Sequence, residues 1–131
     1  MNGDFLLDTN TVIRLFAHDQ AIERRFDADP RILLPIFVLG ELYYGALKSS
    51  LVDENCRRID DFLGRVEILH ASLGTAYEFG TIKTELERKG RMIPQNDLWI
   101  AALSRQHDLT LVSNDRHFAE GGEPVLGTVV G

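Results

Sequence analysis

Apolar positions in this chain form short runs, separated by segments in which they recur at helical spacing. The run ending "FLL" predicts a strand over 4–7, followed by helices over 9–17 and 20–28. A second buried-type run predicts a strand over 31–34 and leads into a helix over 36–49. The alternation continues with a helix over 53–64, the strand "VEIL" at 66–69 and helices over 72–89 and 95–107. The strand "LTLV" at 109–112 and a terminal strand near 125–129 complete the pattern. Gly90 and Pro94 separate the last two long helices. Short unbroken apolar strands alternating with helices predict an α/β fold: a mainly parallel central sheet flanked by helices on both faces. Sites in such sheets form beyond the carboxyl ends of the strands.

Composition changes this picture little. The 131 residues suit one domain, 1–131, and the 44% hydrophobic and 26% charged content is ordinary for a packed core. Apolar stretches fall short of the roughly 20 residues needed to span a bilayer, and no basic and apolar leader opens the chain. The expectation is therefore a cytoplasmic protein with no membrane association. Cys56 is alone, and the four histidines, at 18, 70, 107 and 117, lack close zinc-ligand spacing. A net charge of −6 argues against passive nucleic-acid binding through a broad basic surface.

Charge placement is more informative than charge content. Asp8 is the only charged residue between Asp4 and Arg14, Glu41 the only one between Arg31 and Lys48, and Asp97 the only one between Arg91 and Arg105. Asp115 ends an uncharged run that begins after Asp108. An ionised carboxylate in apolar surroundings is costly unless it is paired, hydrogen-bonded or metal-bound. Each acid alone also fits an ordinary role: Asp8 or Asp97 at a helix start, Asp115 in a turn, Glu41 on a solvated stripe. Convergence of all four would change that balance, since two carboxylates about 4 Å apart repel by roughly 4 kcal/mol at an effective dielectric near 20. A divalent cation would relieve the repulsion. The donors are all oxygen, with Asn10, Asn96 and Asn114 nearby, a set suited to Mg²⁺ or Mn²⁺ rather than zinc. A metal held in this way supports phosphodiester hydrolysis by water, without a protein nucleophile. Gly40 and Gly45, costly inside a helix, suggest a tight crossing at Glu41.

In their order along the chain, "LLDTNTVI" at 6–13, "GELYYG" at 40–45, "NDLWIAA" at 96–102 and "LVSNDRHF" at 111–118 resemble the four acidic motifs of the PIN-domain ribonucleases, and most closely the VapC-type toxins of bacterial toxin–antitoxin pairs. The resemblance implies a metal-dependent endoribonuclease in which Asp8, Glu41, Asp97 and Asp115 bind Mg²⁺ or Mn²⁺ and activate water. It further implies a homodimer neutralised by an antitoxin whose extended tail enters the acidic groove. Ser113 stands where the family more often has threonine, and the hydroxyl is retained. Asn10 and Ser113 are candidates to orient the carboxylates through hydrogen bonds.

Without the four acids the formal charge of −6 falls to −2, which softens the objection to an RNA substrate. Arg91, in the "ERKGR" segment at 87–91, and Arg116 are candidate phosphate contacts, although 87–91 also reads as a solvated helix end. Trp99, Tyr43, Tyr44 and Phe118 read as packing residues rather than base-stacking platforms. Other acidic-pocket folds fit less well. A phosphoacceptor receiver domain needs an Asp after a middle strand, where "VEILHAS" has none, and a haloacid-dehalogenase-like phosphatase needs Asp-x-Asp where Asp8-Thr9-Asn10 stands. A noncatalytic module that recognises a protein or RNA remains the alternative from another class.

Overall fold

The computed structural model describes residues 4–27, 31–113 and 129–130. Strands β1 (Asp4–Leu7), β2 (Arg31–Pro35), β3 (Glu67–Leu69), β4 (Thr110–Val112) and β5 (Val129–Val130) form one sheet in the order β3-β2-β1-β4-β5. Every pairing is parallel. β1 is central, with Leu6 opposite Leu33 on one side and Leu111 on the other. β2 is buried from Ile32 to Pro35, the continuous burial expected of a parallel strand covered on both faces.

Among the described residues six helices connect β1 to β4: α1 (Thr9–Phe16), α2 (Gln20–Asp27), α3 (Ile36–Leu47), α4 (Val52–Leu63), α5 (Leu73–Arg88) and α6 (Gln95–His107). The strand order runs outward from β1 through β2 to β3, then jumps back across β1 to β4. With right-handed crossovers, that reversal puts α1 to α4 on one face and α5 and α6 on the other. The mainly parallel α/β sheet expected from the alternation is the one found. Element ends differ from the expected ones by a residue or two. Helix α3 stops at Leu47 because Lys48 caps it, and β2 extends to Pro35, which opens α3. The strand β5 overlaps the expected terminal strand at Val129 and extends to Val130, while 125–128 lie outside the described residues.

Leu6, Leu34 and Leu111 are fully buried on the three middle strands, and Val12, Val38, Ile82, Ile100 and Leu103 press on them from the helices. Burying each such side chain contributes about 1.5–3 kcal/mol relative to exposure. The α2 and α4 side is closed by aromatic contacts, with Phe62 edge-on to Phe16 at 5.3 Å and tilted against Phe26 at 5.9 Å. Helix α6 buries Ile100 to Ser104 without interruption, and Trp99 stacks on Phe79 of α5 at 4.0 Å.

One turn directs the chain toward the acidic edge of the sheet. After α5, Gly90 takes a φ of +67°, the Arg91 N–H reaches the Leu86 carbonyl at 2.8 Å, and the Gly90 N–H reaches Glu87 at 3.1 Å. This glycine-dependent end reverses the chain and starts α6 five residues later. Residues 87–90 are exposed, as expected of a solvated helix end.

Candidate functional site

Helices α1 and α3 begin directly at the carboxyl ends of β1 and β2, and the contact between Phe37 and Trp99 brings the N-terminal part of α6 beside that of α3. Asp8 caps α1 and Asp97 lies in the first turn of α6, while Glu41 stands one turn further along, in the second turn of α3. The positive ends of the α1 and α6 dipoles favour the Asp8 and Asp97 carboxylates there.

Asp8 occupies the junction of β1 and α1 and is only 4% exposed. Its Oδ1 accepts the Thr11 backbone N–H at 2.9 Å, which makes Asp8 the N-cap of α1. Its Oδ2 accepts the Ser113 hydroxyl. The register explains that contact: Leu7 pairs with Val112, so Asp8 and Ser113 leave adjacent strands side by side. Capping and burial therefore act together, because two hydrogen bonds offset the desolvation of the carboxylate. Each carboxylate oxygen retains a second acceptor position.

Thr11 braces the same junction. It is fully buried, and its Oγ1 donates to the Val112 carbonyl at 2.8 Å, tying the first turn of α1 to the end of β4.

Glu41, in the second turn of α3, is exposed, and its Oε1 accepts the Thr9 hydroxyl at 2.7 Å. It also lines a groove of about 380 Å³ together with Ile13, Phe16, Leu42 and Gly45. Among the described residues the tight crossing expected from the two glycines is absent. A Cβ at Gly40 or Gly45 would meet no atom within 4 Å, because α3 turns Val38, Leu42 and Ala46 inward and leaves both glycines on its open side. Tyr44 shares that open side. It is 66% exposed with the Lys48 ammonium 4.5 Å from its ring centroid, so it is not the packing residue expected. Tyr43 is half-buried and donates its hydroxyl to Asp60 at 2.6 Å, a bond that raises the phenol pKa above its ordinary value.

Asp97 is half-buried in the first turn of α6. Helices α3 and α6 meet nearby through Phe37 and Trp99, whose ring centroids are 5.7 Å apart. Asn10 is exposed, and the hydroxyls of Thr9 and Ser113 touch Glu41 and Asp8 respectively. Arg91 is half-buried in the turn before α6. Asp115, Arg116, Asn114 and Phe118 lie outside the described residues.

Asp8 and Glu41 are thus linked through Thr9, the residue following Asp8, while Asp97 stands at the neighbouring helix start. Among the described residues no three acidic, His or Cys side chains form a ready-made ion-binding cluster. The donor chemistry nevertheless fits a hard divalent cation: carboxylate oxygens only, one buried and fixed by two donors, one exposed, with free acceptor positions on both. Thr9 and Thr11 were missed in the sequence. Their only local signal is a hydroxyl on either side of Asn10, and their partners lie 32 and 101 positions away.

Known proteins resemble this chain in sequence and overall fold. The model of the PIN domain family matches residues 5–123. A ribonuclease VapC2 of Haemophilus influenzae is 40% identical over 113 residues, covering 85% of this chain and 86% of the relative. A tRNA(fMet)-specific endonuclease VapC of Shigella flexneri is 33% identical over 121 residues, covering 90% and 92%. Among solved structures, VapBC2 from Rickettsia felis, bound to a DNA fragment from its promoter, superposes with a TM-score of 0.86 at 31% identity over 96% of each chain.

Proposed function

Since the chain belongs to the PIN-domain family, among its VapC-type ribonucleases, we propose that it is a divalent-metal-dependent endoribonuclease and the toxin of a toxin–antitoxin pair. The observation that carries this reading is the buried Asp8 carboxylate, held at the carboxyl edge of the sheet by Thr11 and Ser113, with Glu41 tethered beside it through Thr9. Asp8, Glu41, Asp97 and Asp115 are the proposed ligands of Mg²⁺ or Mn²⁺. A bound cation would supply charge neutralisation, a lowered pKa for attacking water and stabilisation of the leaving oxygen.

The chain's own residues prepare that chemistry. Thr11 and Ser113 hold Asp8 in one rotamer, so its position is set before substrate arrives. The helix starts bearing Asp8 and Asp97 make a negative cluster tolerable there. Arg91 and Arg116 are proposed phosphate contacts that fix the register of the RNA on a chain whose net charge is otherwise negative. Residues 1–131 are proposed to act as a single PIN domain, as a homodimer in the cytoplasm, with a cognate antitoxin as the neutralising partner. The antitoxin proposal is supported by the VapBC complex whose fold this chain shares. Because one relative is named for tRNA(fMet), initiator tRNA is the first RNA to present.

Product-end analysis tests the reaction itself. Purified protein with Mn²⁺ should cut RNA internally without generating 2′,3′-cyclic phosphates, because water rather than the neighbouring 2′-hydroxyl attacks. Cyclic ends, or cleavage that persists in excess chelator, would overturn the metal-and-water reading. A chain that binds RNA or a protein but never cuts would favour the noncatalytic module.

A further inference from the structure

We infer that Thr9 is a positioning residue for Glu41: its hydroxyl aims the one exposed carboxylate described at the edge of the sheet. The inference rests on the proposed carboxylate site. Its direct basis is the 2.7 Å hydrogen bond from Thr9 Oγ1 to Glu41 Oε1, which joins the first residue of α1 to the second turn of α3.

The two acids have different needs. Asp8 is buried, short and held by the Thr11 N–H and the Ser113 hydroxyl, so its geometry is already restricted. Glu41 has a longer side chain with more rotatable bonds, and it stands exposed on a helix face flanked by Gly40 and Gly45, around which no atoms of the described residues crowd. Packing therefore does little to select its rotamer, and a specific donor is needed. Thr9 is well built for this purpose. It is β-branched, so few directions are open to its hydroxyl in a helix. Its backbone is also anchored on both sides: Asp8 caps the helix, and Thr11 is tied to the Val112 carbonyl at 2.8 Å. The rigid junction of β1 and β4 is transmitted through Thr9 to a side chain on α3 that would otherwise sample several directions. No charge or metal ligand is added by Thr9; it fixes where an acid stands.

The test is Mn²⁺ affinity, measured by paramagnetic resonance or calorimetry on the full chain as wild type, Thr9→Val, Thr9→Ser and Asp8→Asn. Thr9→Val keeps the shape and removes the donor. It should weaken Mn²⁺ binding by about 10-fold, the lower end of what loss of a group supporting a metal ligand produces. Thr9→Ser keeps the hydroxyl and should bind within about twofold of wild type by the same reasoning. Asp8→Asn separates the two claims. If it binds Mn²⁺ as the wild type does, the shared carboxylate site itself fails. If Asp8→Asn loses binding while Thr9→Val binds like wild type, the role of Thr9 alone is overturned. Equal weakening in Thr9→Val and Thr9→Ser would also overturn it, because bulk rather than the hydroxyl would then matter. The melting temperature of each metal-free variant, read in parallel, identifies any loss of affinity that comes merely from unfolding.

Discussion

Replacing Thr11 by Val removes a single hydroxyl from a fully buried position while nearly preserving its shape. The lost group donates to the Val112 carbonyl at 2.8 Å and joins residues 101 positions apart. A net hydrogen bond contributes about 1 kcal/mol, and leaving a buried acceptor short of a partner adds about 1–3 kcal/mol, so a loss of about 2 kcal/mol is expected. For a chain of 131 residues, each kcal/mol corresponds to about 4 °C, and the melting temperature should fall by about 8 °C. Urea unfolding followed by circular dichroism measures the change directly. The midpoint should move while its slope stays constant, which separates a stability change from a change in exposed area. Thr11→Ser is the control: it keeps the donor and sacrifices one methyl, about 1 kcal/mol of burial. The reasoning predicts that Val is the costlier change. If Thr11→Val unfolds at the wild-type midpoint, or Thr11→Ser proves the worse of the two, the hydroxyl is not what ties α1 to β4.

Mn²⁺ should raise the melting temperature of wild type more than that of Asp8→Asn, because a ligand that binds only the folded chain stabilises it by mass action; equal shifts would exclude a shared site. Gly90→Ala forces a side chain into a φ of +67° where no neighbour is near, so only backbone strain is added. It should cost about 1 kcal/mol in the same urea assay, and an unchanged midpoint would refute the strain argument. Asp19 is held below its ordinary pKa of 3.8, first by the Ile22 backbone N–H and then by Arg14. A depressed folded-state pKa gives stability that is present above 3.8 and lost as pH falls through the lower folded value. Wild type should therefore exceed Asp19→Asn in urea midpoint at pH 7, with the gap closing at acid pH; a gap that ignores pH would count against a role for the ionised carboxylate.

Much of this architecture was legible because it depends on local pattern. Unbroken runs such as "RILLP" announce doubly covered strands, and the isolated acids stood out since nothing charged surrounds them. Asp8 could be assigned to the strand–helix junction for the same reason. The hydroxyls that fix the acids were not legible. Thr9 reaches Glu41 and Thr11 reaches Val112 only after the sheet has brought distant segments together. Gly40 and Gly45 misled because glycine in a helix suits either close packing or an open surface, and spacing alone does not separate the two. Tyr44 misled similarly: its place on the Glu41 side of α3, away from Leu42 and Ala46, depends on which face meets the sheet.

Side-by-side RNA cleavage by wild type and Asp8→Asn in Mn²⁺, with both proteins shown by circular dichroism to be folded, tests the central claim most directly. The account predicts internal cleavage by wild type and its loss in Asp8→Asn. Undiminished cleavage by folded Asp8→Asn would contradict it.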